Sequence, residues 1–524
     1  MTGRLQRLFA IIRADFLIRL RRPSTVVVFL LLSAMPYLWI PDPSTGKALI
    51  QLMGRRALYN SAALGMATAL IATIFVSLFG FYVISNALRR DIQTRCGYVI
   101  ASTTMRGSEY IAGKFAGNVV FLTVFMTGFM IASMVMQLVR GEAPLEPFTF
   151  AKQYLLLVPP SIVFVSALAI FFECTPLLRG KFGDVLYFFL WVGAQGVITY
   201  KLETSNGHSW AQYFDTSGLG FVLLQMKTYY HSTSLAIGST NFDAKLAPIV
   251  FTGLRAAPSL LLPRIVATIW PIALLVLARL FFHRFDPARV RAAAAAARKS
   301  WMGRFNAIAK PLARLVTSAI AGGRSNSLLG SARADAATTL AAMPLSVFAI
   351  IGVAIAALTS TKLFHGVMPI AFAVVAIVIA DISCREKRAG TSALIYAAPS
   401  LRTNFVLWKF ITTFAVAMLF LVVPFARAAT TRPASLLALL IGLAFTCAAA
   451  TTLGTLSANP KTFLVGFLSF WYIVTQDRGA SPAMDFAGWY TTPAPAVLAS
   501  YALASLALLA AAHAFHLREL RRRW

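Results

Sequence analysis

Arg90-Asp91 and Arg385-Glu386 are adjacent base–acid pairs, and each is followed at the same spacing by a lysine, Lys114 or Lys409. Laid together without gaps, residues 88–115 and 383–410 match again at Lys114-Phe115 and Lys409-Phe410. Such groups do their chemistry by pairing: a cation and a carboxylate on one rigid segment offer a soluble partner charge-assisted contacts of both signs. A solvated basic loop would account for the Arg and Lys but not for the acid repeated beside them. The residues are not a nucleotide site. Gly113-Lys114 is followed by Phe115, and Ser108 stands five before Gly113, so a phosphate loop fails at both ends. No zincin, hydrolase-elbow or kinase pattern occurs either, and the chain reads as no enzyme.

The elements that position these pairs are membrane helices. Hydrophobic residues make up 58% of the chain and charged residues 13%, with a mean hydropathy of +0.72, a balance that a water-soluble fold could not present without large apolar patches. A helix needs roughly 20 apolar residues to cross the hydrocarbon core, which predicts about twelve spans. They fall near 24–40, 61–84, 115–138, 154–173, 184–200, 259–282, 344–361, 366–382, 405–426, 434–456, 463–476 and 491–515. The first and eleventh are short. A β-barrel would alternate over segments of about ten residues, whereas runs such as 61–84 are apolar on every face. The fold class expected is an all-α polytopic membrane protein, its twelve helices forming two homologous six-helix bundles.

The net charge of +30 suggests nucleic acid at first sight. An even number of spans instead gathers most Lys and Arg on one side, which the positive-inside rule makes cytoplasmic, so membrane lipids and no nucleic acid are the expected contacts. Both termini and the segments 88–113, 284–343 and 383–404 are then cytoplasmic. Met35-Pro36-Tyr37 is a poor cleavage site, so the first apolar run stays as a span. Cys96, Cys174, Cys384 and Cys447 fall in cytoplasmic or membrane positions, which argues against a disulfide frame and a spaced metal site.

Three regions follow: 1–283, an amphipathic N-terminal helix with six spans; 284–343, a basic linker; and 344–524, six more spans. Residues 1–23 set Leu5, Leu8, Phe9, Ile12, Phe16 and Leu20 at helical spacing with Arg4, Arg7, Arg13 and Arg19 among them, the pattern of a helix lying in the membrane interface and equally of a solvated helix packed on a partner. The linker carries a helix at 292–297, a flexible link at 322–327 and a second amphipathic pattern at Phe305, Ile308, Leu312 and Leu315. Arg13-Ala14-Asp15 recurs as Arg333-Ala334-Asp335, and Arg179-Gly180-Lys181-Phe182 is matched loosely by 459–463. The common order argues for parallel repeats. The repeats differ at 200–257, where Trp210, Tyr213, Phe214, Tyr229 and Tyr230 mark an outer cap or re-entrant segment.

Ion-coupled carriers keep ionisable groups at mid-bilayer, and few occur here. Glu173, Asp184 and Asp381 fall at inner span ends, Arg279 can snorkel, and His513 and His516 read as interfacial anchors. Energy must then come from elsewhere.

With these residues in view, each six-span body resembles the permease subunits of type-two ABC exporters. The resemblance lies in the segment after span two: Arg90-Asp91, Gly97, Thr103-Thr104, Arg106, Tyr110 and Gly113-Lys114, against Arg385-Glu386, Gly390-Thr391, Ala398-Pro399-Ser400, Arg402, Phe405 and Lys409. Phe405 replaces Tyr110, and Asn404 replaces Glu109. The resemblance implies that these segments carry coupling helices seated on a separate ATPase, with Arg90, Asp91, Arg106, Glu109, Lys114, Arg385, Glu386, Arg402 and Lys409 as the coupling residues. It implies two copies of that ATPase, which binds the ATP and Mg while this chain holds no cofactor or metal, a place in the bacterial inner membrane, and export of an amphipathic or lipidic substrate: a peptide, a lipid-linked molecule or a drug. The alternatives are a twelve-span secondary carrier and a non-transporting scaffold or sensor.

Overall fold

The computed structural model describes residues 2–523 except 22, 53, 177, 205–208, 231–234, 283–284, 286–300 and 322–326. The expected 292–297 helix and nearly all of the 322–327 link lie outside the described residues. The chain divides into two compact units, Met1–Ala295 and Ala296–Trp524. The helices Trp301–Ala321 and Leu328–Ala342, expected in a linker, pack within the second unit.

Among the described residues, eight helices are long and apolar enough to cross a bilayer. The first unit has Ser61–Ile92, Gly107–Arg140, Pro147–Cys174, Lys181–Lys201 and Pro258–Phe281; the second has Phe405–Thr431, Pro433–Ser457 and Pro495–Arg522. Each answers to one of the twelve expected runs. The other four are short or bent. Val28–Trp39 and Leu363–Ile379 are apolar but have only 10–17 residues, and at 1.5 Å per residue even the longest of that class reaches about 25 Å against a core of about 30 Å. Pro460–Asp477 has 18 residues. Leu345–Thr359 has 15 and meets Leu328–Ala342 at a 95° bend, a pair that counts as a ninth span if taken together.

The chain is not purely helical. The first unit carries a three-stranded antiparallel sheet in the order β2-β1-β3: β1 is Lys47–Leu52, β2 Arg55–Arg56 and β3 Leu235–Asn241. Ile50 faces Ile237 and Leu52 faces Leu235, with the register shifting between Ala48 and Ile50. Leu49, Ile50 and Leu52 are buried, and the Tyr59 hydroxyl accepts the Leu49 amide at 2.8 Å. The segment expected as an aromatic cap therefore contributes a strand, a turn at Trp210–Tyr213 and the helix Leu219–Tyr230.

Several local devices occur once in each unit. Arg140, ending its helix, donates to the carbonyls of Tyr37 and Ile40; Arg427 donates to those of Ala357 and Ser360. Each arginine thus serves the open carbonyls where a short apolar helix stops. The Trp191 indole donates to Ser77 Oγ at 2.9 Å, and Trp471 to the Pro369 carbonyl at 2.7 Å. Ser77 lies in the π turn Val76–Gly80, where the wider spacing loosens the helical ladder and its carbonyl accepts the Tyr187 hydroxyl.

Buried carboxylates build two turns, one ahead of Leu219–Tyr230 in the first unit and one ahead of Pro495–Arg523 in the second. Asp215 accepts the Gly218 and Phe221 amides and the Ser217 hydroxyl at 2.8–2.9 Å. Asp485 accepts the Trp489, Tyr490 and Thr491 amides at 2.8–2.9 Å. Three residues after each acid stands a glycine with positive φ, Gly218 at 79° and Gly488 at 67°, where a Cβ would also collide with Leu157 or Ala438. Arg264, buried within Pro258–Ile269, donates to the Leu156 and Leu157 carbonyls at 3.0 and 2.8 Å. Pro160 has no N–H to give Leu156, and the guanidinium supplies that donor.

Asp485→Ala strands one buried and two part-buried amides, a loss on the order of 2–3 kcal/mol. It should lower the melting temperature of the purified chain, while Asp477→Ala, with a single amide contact, should lower it much less; equal losses would mean that the turn is not held by its carboxylate.

Candidate functional site: a buried charge cluster in each unit

In the first unit the helix Thr2–Leu20 sets Asp15 and Arg19 one turn apart on one face, and Gly107–Arg140 sets Tyr110, Lys114 and Asn118 likewise. Ala87–Gln93 supplies Arg90 and Asp91. The Asp15 carboxylate meets Arg19 and Arg90 at 2.6 Å and Lys114 at 3.0 Å. Lys114 also reaches Asp91 at 2.9 Å, and the Tyr110 hydroxyl donates to the same Asp91 oxygen at 2.6 Å. Arg19 donates to Asn118 Oδ1 at 2.6 Å. Glu173, expected at a span end, accepts the Ala87 and Leu88 amides at 3.1 and 2.6 Å and so closes the N-terminus of the helix that carries Arg90.

The second unit repeats the arrangement with the matched residues. Asp335 pairs with Arg385 and, at 2.9 Å, with Lys409; Lys409 reaches Glu386 at 2.5 Å, and Arg385 donates to Thr339 Oγ1 at 3.2 Å. Lys409 is fully buried, with its ammonium 4.1 Å from the Trp408 ring centroid.

Two substitutions distinguish the clusters. Thr339 stands where Arg19 stands, so three cations face two carboxylates in the first unit and two face two in the second. Glu386 with Phe405 replaces Asp91 with Tyr110. Phe405 has no hydroxyl to give, and Glu386 Oε2 is buried without a hydrogen-bond partner among the described residues. The Phe405 ring instead stacks on His516 at 5.0 Å, and His516 Nε2 donates to the Arg402 carbonyl at 2.8 Å. In the first unit Tyr110 packs on Phe282 and Phe285 at 5.5 and 5.3 Å.

The sequence-derived residues thus separate into three groups. Arg90, Asp91, Lys114, Arg385, Glu386 and Lys409 belong to the clusters, turned inward and paired with their own unit. Arg106 and Glu109 form the N-terminal cap of Gly107–Arg140, the Glu109 carboxylate accepting the Arg106 amide at 3.2 Å and lying 3.7 Å from Arg7. Arg402 lines a groove with Tyr396, Leu517 and Arg521.

Sequence reasoning did not include the central acids Asp15 and Asp335 among the site residues, although the recurring Arg-Ala-Asp was visible. It also passed over two outward-facing apolar residues. Val99, on Cys96–Ser102, is 68% exposed, and Leu394, on Ser392–Tyr396, is 77% exposed, at the same register of the two segments. Among the described residues, no group of three His, Cys, Asp or Glu could hold a metal ion.

In each unit one buried carboxylate ties a flanking helix to the segment bearing the base–acid pair and to the helix that follows, so the three move together. Burial raises the affinity of the Asp15 carboxyl for a proton, but Arg19, Lys114 and Arg90 together outweigh it and hold that carboxyl below its ordinary value.

Because the folded value is the lower one, this group contributes stability that is complete above the unfolded carboxylate value near 3.8 and is lost as pH falls through the folded value. Melting curves in detergent should therefore show an acid-side loss that Asp15→Asn flattens; an unchanged acid slope would remove Asp15 as its source. Lys409→Met leaves two buried carboxylates facing one cation and should cost about 3–5 kcal/mol. Arg385→Met, at a more exposed position, should cost less, as folded yield and melting temperature will report.

Comparison with protein-family models, with curated proteins and with solved structures finds no match for this chain.

Proposed function

We propose that the chain is the membrane permease of an ATP-binding-cassette exporter, two six-helix halves fused in one polypeptide and driven by two copies of a separate ATPase. The observation that carries this reading is the buried tie in each unit. A coupling element has to be rigid, because a push from a partner does work only if it moves the attached helices and is not absorbed in a flexible loop. Asp15 and Asp335 supply that rigidity at matching positions.

The paired devices support a duplicated body. The arginine caps, the tryptophan donors, the acid-to-glycine turns and the charge clusters each occur once per unit in the same chain order. Twelve helices result if Val28–Trp39, Leu345–Thr359, Leu363–Ile379 and Pro460–Asp477 join the eight long ones in a locally thinned bilayer. On this reading both termini and the two coupling segments are cytoplasmic, at a bacterial inner membrane. The cargo is amphipathic or lipidic.

The contact with the ATPase then falls on the outward faces of the short helices, Val99 in one unit and Leu394 in the other, while Asp91 and Glu386 stiffen the segments from behind. Asp91→Arg would set a third cation beside Arg90 and Lys114 and disturb the unit itself. Val99→Glu with Leu394→Glu leaves both clusters intact. This double variant should fold and insert normally yet lose co-purification with the ATPase encoded beside it, and transport with it. Normal pull-down and normal export by the variant would sink the proposal.

An ion-coupled carrier is the second reading, favoured by the buried Glu386 oxygen beside Lys409. Substrate movement driven by a proton gradient in vesicles without any ATPase would select it.

A further inference from the structure

We infer that the second unit carries a binding site for one anionic phospholipid, in the groove between the segment 396–403 and the C-terminal end of the helix Pro495–Arg522. The groove holds about 600 Å³ and is lined by Tyr396, Arg402, Thr403, Leu517, Leu520 and Arg521. Two guanidinium groups, a hydroxyl and an apolar wall of two leucines and a tyrosine ring match a ligand with a phosphate at one end and hydrocarbon at the other. Arginine suits the phosphate, since its planar fork pairs with two oxygens at once. A free phosphate would use the cations but leave the leucines without an occupant.

The depth of the groove supports the same ligand. It lies where one candidate span ends, at Arg522, and another begins, at Phe405. Those ends are adjacent, because Phe405 stacks on His516 and His516 donates to the Arg402 carbonyl. A cleft bordered by two span ends falls at headgroup level, where basic pockets between membrane helices meet anionic lipids. The last turns carry Arg518, Arg521 and Arg522 with only Glu519 against them, and Glu519 is engaged by Lys387 at 2.5 Å. The local field is positive. Leu407, exposed on the helix that begins at Phe405, adds apolar surface that suits acyl chains.

This inference rests on the membrane reading of the chain and is independent of the transport reading. Purified full-length protein would be incubated with phosphatidylglycerol or phosphatidylcholine of identical acyl chains, and the retained lipid counted by native mass spectrometry. Wild type should retain phosphatidylglycerol, and Arg402→Gln with Arg521→Gln should weaken that retention about tenfold or more. The tie to His516 uses the Arg402 backbone carbonyl, so the substitution leaves it in place. Arg402→Lys with Arg521→Lys should retain an intermediate amount, and Leu520→Gln should also reduce it. Arg518→Gln, outside the groove lining, should weaken retention far less than the double glutamine variant. Inorganic phosphate is the second arm: stabilisation of wild type by phosphate at concentrations where phosphatidylglycerol has no effect would mean a soluble-anion site and overturn the assignment. Equal retention of phosphatidylglycerol by wild type and the double glutamine variant, or of both lipids by wild type, would overturn it as well.

Discussion

A single carboxylate buried at the end of a membrane unit governs how that unit is built. Asp15 carries a negative charge into a place where water is excluded, and an ion taken out of water costs several kcal/mol unless partners replace its hydration. The partners come from two other elements, Arg90 and Lys114, with Arg19 from its own helix. Because none of these charges can be left alone, the three elements are obliged to meet. The same obligation acts on Asp335, Arg385 and Lys409.

This constraint explains why the flanking helices are inverted relative to a helix at a water surface. Thr2–Leu20 buries Asp15 and Arg19 and exposes Leu5 and Phe9; Leu328–Ala342 buries Asp335 and exposes Leu329. In water that surface would be sticky. Against lipid it is the cheaper arrangement, since the apolar face meets acyl chains and the charges find each other inside.

The two clusters have diverged in a compensated way. Losing the Tyr110 hydroxyl at Phe405 accompanies a longer acid, Glu386, and a different neighbour, His516, against the ring. Having Thr339 where the first unit has Arg19 removes the cation that exceeds the number of carboxylates and leaves a neutral set. The units therefore have the same ties but unequal electrostatics, and any partner or proton that acts on both would act on them unequally.

Composition and run length alone determined that the chain is a helical membrane protein, because a bilayer admits little else with so many uninterrupted apolar segments. The eight long helices were legible in this way, and so were Lys114 and Lys409 as members of a repeated motif. The first and eleventh runs were legible as short, but the seventh and eighth were not, since hydropathy counts residues while the π turn at Leu363–Val367 and the 95° bend before Leu345 decide how far those residues reach. The small sheet was hidden because its two longer strands are far apart in the chain and each is too short to signal without its partner. Only the tertiary structure decided which way the charges point. A base–acid pair reads the same in sequence whether it faces a partner or its own fold, and the acids that turn it inward, Asp15 and Asp335, lie far from it along the chain; contact in space, with the penalty for a buried unpaired ion, is what joins them.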